Sequence, residues 1–236
     1  MRPLSSPLVP LVPPPRAVLR ARAAVARRLL FALCALALGW AIGVPEPARA
    51  RNTERLRAAA RLEVLAPLFE AATGLDGAGK LLAVNEFFNR RVRFRDDIEV
   101  WGESDHWASP LELLAKGEGD CEDFAIAKYF SLLALGIPGS QLRLVYMQAQ
   151  RADAPGRLQA HMVLAHYAVP GAEPSILDNL VAPVLPAAQR GDLTPVFSFN
   201  AEGMWQGLGT KAAGDPIERL SRWRAVLVAA RSEGFP

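Results

Sequence analysis

The hydrophobic period of this chain changes once, at Gly136–Pro138, and the change fixes its fold class. Upstream, apolar residues recur at helical spacing. The pattern predicts a helix over residues 53–72, with Asn52 as N-cap, a bend at Pro67 and a stop at Gly74. A second helix is expected over 78–92, where Leu81, Leu82, Val84, Phe87 and Phe88 form an apolar face. Residues 95–109, rich in Asp, Glu and Trp, read as irregular. A short helix should run from Pro110 to Ala115 and end at Gly117 or Gly119, and a strong one over 121–135. Downstream, residues 142–149, 159–168, 175–180 and 194–199 are short runs rich in β-branched and aromatic residues, separated by Pro and Gly. They read as antiparallel strands. An amphipathic helix over 216–231 closes the chain. Helices followed by strands predict an α+β fold, a helical lobe against an antiparallel sheet.

Charge divides the chain differently. Residues 1–50 hold seven Arg and one Glu, which leaves 20 basic and 23 acidic residues for the other 186 of the 236. The basic character of the whole chain therefore belongs to its first segment. The remainder has no cationic excess to neutralise phosphates, which argues against nucleic acid as a partner. Within the first segment, Arg16, Arg20, Arg22, Arg27 and Arg28 precede an uncharged apolar run from Leu29 to Val44, and Ala48-Arg49-Ala50 follows. A positive region, a short apolar run and a small-x-small end read as a secretory signal, placing residues 51–236 in the periplasm as one domain. An uncleaved anchor is the second reading, since a bilayer-spanning helix wants about twenty apolar residues. Cys34 lies in the middle of the apolar run after bulky Leu33, the wrong place for lipid attachment. Export leaves Cys121 as the sole cysteine, unable to form an internal disulfide.

Cys121 stands in Gly117-Glu118-Gly119-Asp120-Cys121-Glu122-Asp123, where loop becomes helix. Asp120 is suited to the N-cap, and a thiol on the first helical turn faces the positive end of the helix dipole. An inert buried cysteine is the alternative, but acidic residues on both sides do not suit an apolar site. A cysteine nucleophile needs a base, and the chain offers His106, His161 and His166. His161 shares a strand face with Val163 and Ala165, whereas His166 lies on the other with Met162 and Leu164. With Pro170-Gly171 as the turn, Asp178 falls opposite Val163, one diagonal step from His161 and on its face. Cys121, His161 and Asp178 thus fit the roles of nucleophile, base and orienter.

The acidic neighbours oppose this chemistry. One like charge at about 6 Å costs ~0.7 kcal/mol in water and ~3 kcal/mol at an effective dielectric of 20. The helix dipole returns about 0.3–1 kcal/mol, or ~2 kcal/mol when partly buried. Several carboxylates beat the dipole unless a cation neutralises them. Asp120, Glu122 and Asp123 are hard oxygen donors that suit calcium. Spacing alone leaves open the alternative that they favour the helix N-terminus and point into solvent.

The segments VNEFFN (84–89), DHWASPLELLAKGEGDCEDFAIAKYFSLLALG (105–136), LRLVYMQA (142–149), AHMVLAHY (160–167), LDNL (177–180) and PVFSFNAEGMW (195–205) resemble the bacterial transglutaminase-like cysteine proteases. The resemblance implies a papain/transglutaminase-like fold, with Cys121 as nucleophile, His161 as base and Asp178 as orienting partner. It also implies calcium at Asp120, Glu122 and Asp123. His106 departs from the family, which has an aromatic residue before Trp107. The family's role implies a periplasmic protease that cuts the N-terminal region of a large surface adhesin near adjacent alanines. An inner-membrane receptor that senses cyclic di-GMP sequesters such a protease. Two rivals share these residues: acyl transfer to an amine by a transglutaminase or amidase, and a non-catalytic calcium-dependent docking module.

Overall fold

A computed structural model describes residues 63–154 and 156–236. The expected signal segment, the start of the first helix and its Asn52 cap lie outside the described residues. Helix α1 (63–72) runs through Pro67 and buries Leu65, Leu68 and Ala72. Helix α2 (Gly77–Arg91) begins at Asp76, whose side chain accepts from the Gly79 N–H, and buries Leu81, Val84, Asn85 and Phe88. That spacing of i, i+3, i+4 and i+7 is one helical face.

The stretch expected to be irregular contains a short helix, α3 (Asp97–Val100). Before it, β1 (Arg93–Phe94) pairs in parallel with β2 (Glu118–Gly119). Between them, α4 (Pro110–Lys116) opens on a capping box of Ser109 and Glu112 and closes at Gly117, left-handed at φ 69°. Helix α5 (Cys121–Ala134) follows, and every residue from Asp123 to Leu132 on it is buried. A helix enclosed on all sides shows little amphipathicity, and this one is the centre of the main core.

The sheet has seven strands. They are β3 (Leu142–Gln150), β4 (Leu158–His166), β5 (Ser175–Leu177), β6 (Leu185–Pro186), β7 (Leu193–Phe199), β8 (Met204–Gln206) and β9 (Ala212–Gly214). Their order is β6-β5-β4-β3-β7-β8-β9, with every pair antiparallel. The fold is thus α+β, with helices against an antiparallel sheet. Met162 and Leu164 belong to the core that contains α5, and Val163 and Ala165 to a second apolar cluster with Val145, Met147, Tyr167 and Ile176. The expected closing helix is divided into α6 (Pro216–Arg219) and α7 (Ser221–Ser232). Trp223 of α7 is fully buried against Tyr129, Phe130 and Phe199, tying the chain's end to α5 and β7.

Candidate active site

Strand β5 pairs with β4 only over Leu164–His166, in the register Leu164–Leu177, Ala165–Ile176 and His166–Ser175. Continued one step, that register sets Asp178 opposite Val163, as the sequence predicts. His161 Nε2 lies 2.8 Å from Asp178 Oδ1. Arg190 Nη2 donates to Asp178 Oδ2 at 2.7 Å, and the Leu180 N–H donates to Oδ1 at 3.0 Å. His161, Asp178 and Arg190 are only 3%, 1% and 3% exposed. Burial alone would raise the Asp178 carboxyl. The hydrogen bonds from His161, Leu180 and Arg190 outweigh it and hold the group at about 2. An ionised carboxylate has no proton to give, so the imidazole donates through Nε2 and Nδ1 is the basic nitrogen.

Cys121 is the first residue of α5 and half-buried. The helix it opens packs on β4, the strand that carries His161. The thiol itself donates to Glu122 Oε2 at 2.7 Å, not to His161. Burial pushes the thiol up, and the charge of Glu122, the bond to it and the charge of Asp120 push the same way. The Met162 N–H pulls down. The structure therefore brings His161 and Asp178 together and sets Cys121 beside that strand, its proton engaged by a carboxylate.

Asp120 occupies the N-cap position, as the sequence predicts, but makes no side-chain capping bond. It belongs to an acidic cluster instead. Asp97, Asp120 and Asp123 each offer an oxygen within 4.8 Å of the others, and Asp97, Asp105 and Glu122 form an overlapping set. Asp123 Oδ1 accepts the Ala108 N–H at 2.7 Å, and Asp97 Oδ2 accepts the His106 N–H. Asp97 Oδ1, Asp120 Oδ1 and Asp123 Oδ2 are buried with no hydrogen-bond partner. Burial and mutual repulsion raise all three carboxyls, Asp120 to about 9 and Asp123 to about 7. Converging buried oxygens without donors fit a hard dication and suit little else. Asp97 was not among the residues singled out from the sequence; the acid-rich composition of residues 95–109 was its one signal.

His106 lies flat on Trp101, ring centroids 4.2 Å apart. The Trp107 indole N–H is spent on Asp105 at 3.0 Å, whereas that of Trp101 is buried without a partner. His166 is half-buried, and burial lowers its pKa.

Residues 69–197 match the family described as bacterial transglutaminase-like cysteine proteinase. The chain belongs to this family. Among solved structures, LapG from Legionella pneumophila, EGTA-treated, is 37% identical, with a TM-score of 0.63 over 77% of this chain and 97% of that one. The calcium-bound form of the same Legionella protein gives 36% identity and a TM-score of 0.62 over 76% and 98%. No curated protein matches. The bacterial transglutaminase-like cysteine proteinase fold accounts for the helix that begins with Cys121 lying on an antiparallel sheet, and the protein is a cysteine protease similar to LapG.

Proposed function

We propose that the protein is an exported, calcium-dependent cysteine endopeptidase in which Cys121 attacks, His161 moves the proton and Asp178 orients the ring. The observation that carries the reading is the buried His161–Asp178 pair, 2.8 Å apart, on a strand packed against the helix that begins with Cys121. Nδ1 of His161 takes the thiol proton as sulfur attacks the peptide carbonyl. The imidazolium then protonates the leaving amine, which departs as the thioester forms. Water, deprotonated by the same nitrogen, hydrolyses the thioester and regenerates the thiol. The Cys121 backbone N–H, at the helix start, is one donor to the developing oxyanion.

Asp97, Asp120 and Asp123 would hold calcium, with Glu122 and Asp105 in the overlapping cluster. When bound, the ion supplies the positive charge that offsets the carboxylates around the thiol. Glu122 is central: its carboxylate belongs to that cluster and also holds the thiol proton. Drawn toward the other acids, it leaves the thiol to His161. Calcium in a Legionella relative supports this assignment.

The substrate in this reading is the N-terminal region of a large surface adhesin, and an inner-membrane cyclic di-GMP receptor sequesters the enzyme. Both rest on the likeness to LapG, and the periplasmic setting on the arginine-rich leader with its Ala48-Arg49-Ala50 end. Purified protein should be incubated with N-terminal adhesin fragments from the same cell, with calcium or with a chelator, and the products read by mass spectrometry. Defined fragments in calcium alone, absent for Cys121→Ala, are expected. Cleavage by Cys121→Ala would overturn the nucleophile, and undiminished cleavage in chelator would remove calcium. Incorporation of a labelled amine in place of hydrolysis would turn the assignment to acyl transfer.

A further inference from the structure

Behind Asp178 lies a polar cluster that touches neither the thiol nor the imidazole. Lys128 stands two turns along α5 from Cys121 and is 1% exposed. A buried ammonium is costly, and breaking even with a carboxylate requires close pairing. Lys128 instead donates to two neutral amides, Asn85 Oδ1 and Asn89 Oδ1, each at 2.8 Å. Its Nζ also lies 5.6 Å from the centre of the Phe124 ring. Burial lowers the lysine to about 7, opposed by the charge of Asp178.

The arrangement has a direction. An ammonium only donates, so both asparagines must turn their oxygens toward it and their NH2 groups away. Those NH2 groups are both spent on one loop. Asn89 Nδ2 donates to the Asp178 carbonyl at 2.7 Å, and Asn85 Nδ2 to the Ala182 carbonyl at 2.8 Å. Asn85 and Asn89, four residues apart, share one face of α2. The helix that starts with Cys121 is thereby joined through α2 to the segment that presents Asp178.

We infer that Lys128 is a positioning residue: by fixing the two amides it sets the 178–182 segment, and with it the Asp178 carboxylate against His161, relative to the nucleophile's helix. The inference rests on Asp178 orienting His161, and its first readout needs no substrate. An apolar side chain of similar length would fill the same space at lower desolvation cost, so a lysine kept only for packing would be replaceable by methionine.

The test is Lys128→Met in the full chain, with Asn89→Leu as a second variant at a half-buried position. Folding is checked by thermal melting. The N–H proton of His161 Nε2 is followed by NMR on protein labelled at histidine, of which the chain has three. Both folded variants should lose or shift that resonance, and kcat should fall about 10–100-fold with KM unchanged, as for a misplaced catalytic group. The double variant should be no worse than the poorer single one, because the residues act as a unit. A folded Lys128→Met with the parental resonance and kcat would overturn the proposal. Should that variant not fold, an unchanged resonance in Asn89→Leu would overturn it equally. Cleavage by Cys121→Ala would overturn the protease mechanism and leave the resonance to report on Lys128.

Discussion

Arg190 shows how one residue can set the chemistry of another without touching substrate. Its guanidinium is shared between Asp178 at 2.7 Å and Asp192 at 2.8 Å. Arg190→Met leaves the Asp178 carboxylate buried with only His161 and the Leu180 N–H as partners. Breaking a buried pair from one side costs about 3–5 kcal/mol, so urea unfolding at pH 7 should show a loss of that order. Asp178 itself sets an acid limb, its carboxyl held down against burial first by the bond and charge of His161, then by the Leu180 N–H and by Arg190. Asp178 is held at about 2, below the ordinary value of 3.8. A depressed carboxyl contributes stability that is present above the unfolded value and lost as pH falls through the folded one. The difference corresponds to about 2–3 kcal/mol, disappearing between about pH 4 and pH 2. Urea midpoints measured across that window should fall more steeply for the parent than for Arg190→Met. Equal slopes would show that Arg190 does not set the carboxyl. Nothing in the order of residues announced Arg190, because its partner is brought to it only by the turn after β5.

The elements were legible where they are long. Helices α2 and α5 and strands β3, β4 and β7 lie within one or two residues of their expected spans, since each carries several turns or alternations of pattern. Strands β1, β2, β6, β8 and β9 have two or three residues, too few for any period, and went unread. Expected strand 175–180 stops at Leu177, because Asp178 leaves the ladder to meet His161 and Arg190. The site was half legible: Cys121, His161, Asp178 and the acids flanking the thiol could be singled out, whereas Asp97 lay in a stretch read as irregular, and Asn85, Asn89 and Lys128 read as ordinary positions on expected helices. Gly119, the last residue of β2, marks how tightly that strand meets α5. A Cβ there would lie 2.5 Å from Asp123 Oδ2 and 2.6 Å from Leu113 Cδ1. Gly119→Ala should therefore cost about 1–3 kcal/mol, the usual range for overpacking. Because Asp123 is one of the groups displaced, calcium affinity should fall as well. Thermal melts with and without calcium would separate the two: a loss equal in both conditions would mean that the acid cluster tolerates the shift.

At the scale of the molecule, the site forms where the helical lobe meets the sheet. The thiol and most of the acidic cluster come from helices or their first turns, the imidazole from β4 and its carboxylate from the segment just after β5. Joining them buries several carboxyls that an unfolded chain would leave in water, and with the proposed calcium site this would make stability depend on protons and calcium together. Burial first, then repulsion from Glu122 and their acidic neighbours, raises Asp120 to about 9 and Asp123 to about 7, from 3.8. A raised carboxyl contributes stability that is complete below its unfolded value and is lost as pH rises through the folded one. Without calcium, the protein should lose stability from about pH 4, where the unfolded carboxyls ionise, up to about pH 9. Calcium competes for the same oxygens and takes them as carboxylates, so its binding must expel protons. At pH 7, calorimetric titrations in two buffers of different ionisation enthalpy should differ by the release of about 1–2 protons per ion. The rise in melting temperature on adding calcium should be larger at pH 8 than at pH 6. Identical heats in both buffers, together with a pH-independent rise, would show that the ion binds away from Asp97, Asp120 and Asp123. The negative charge around Cys121 would then need another source of relief before the thiol could act.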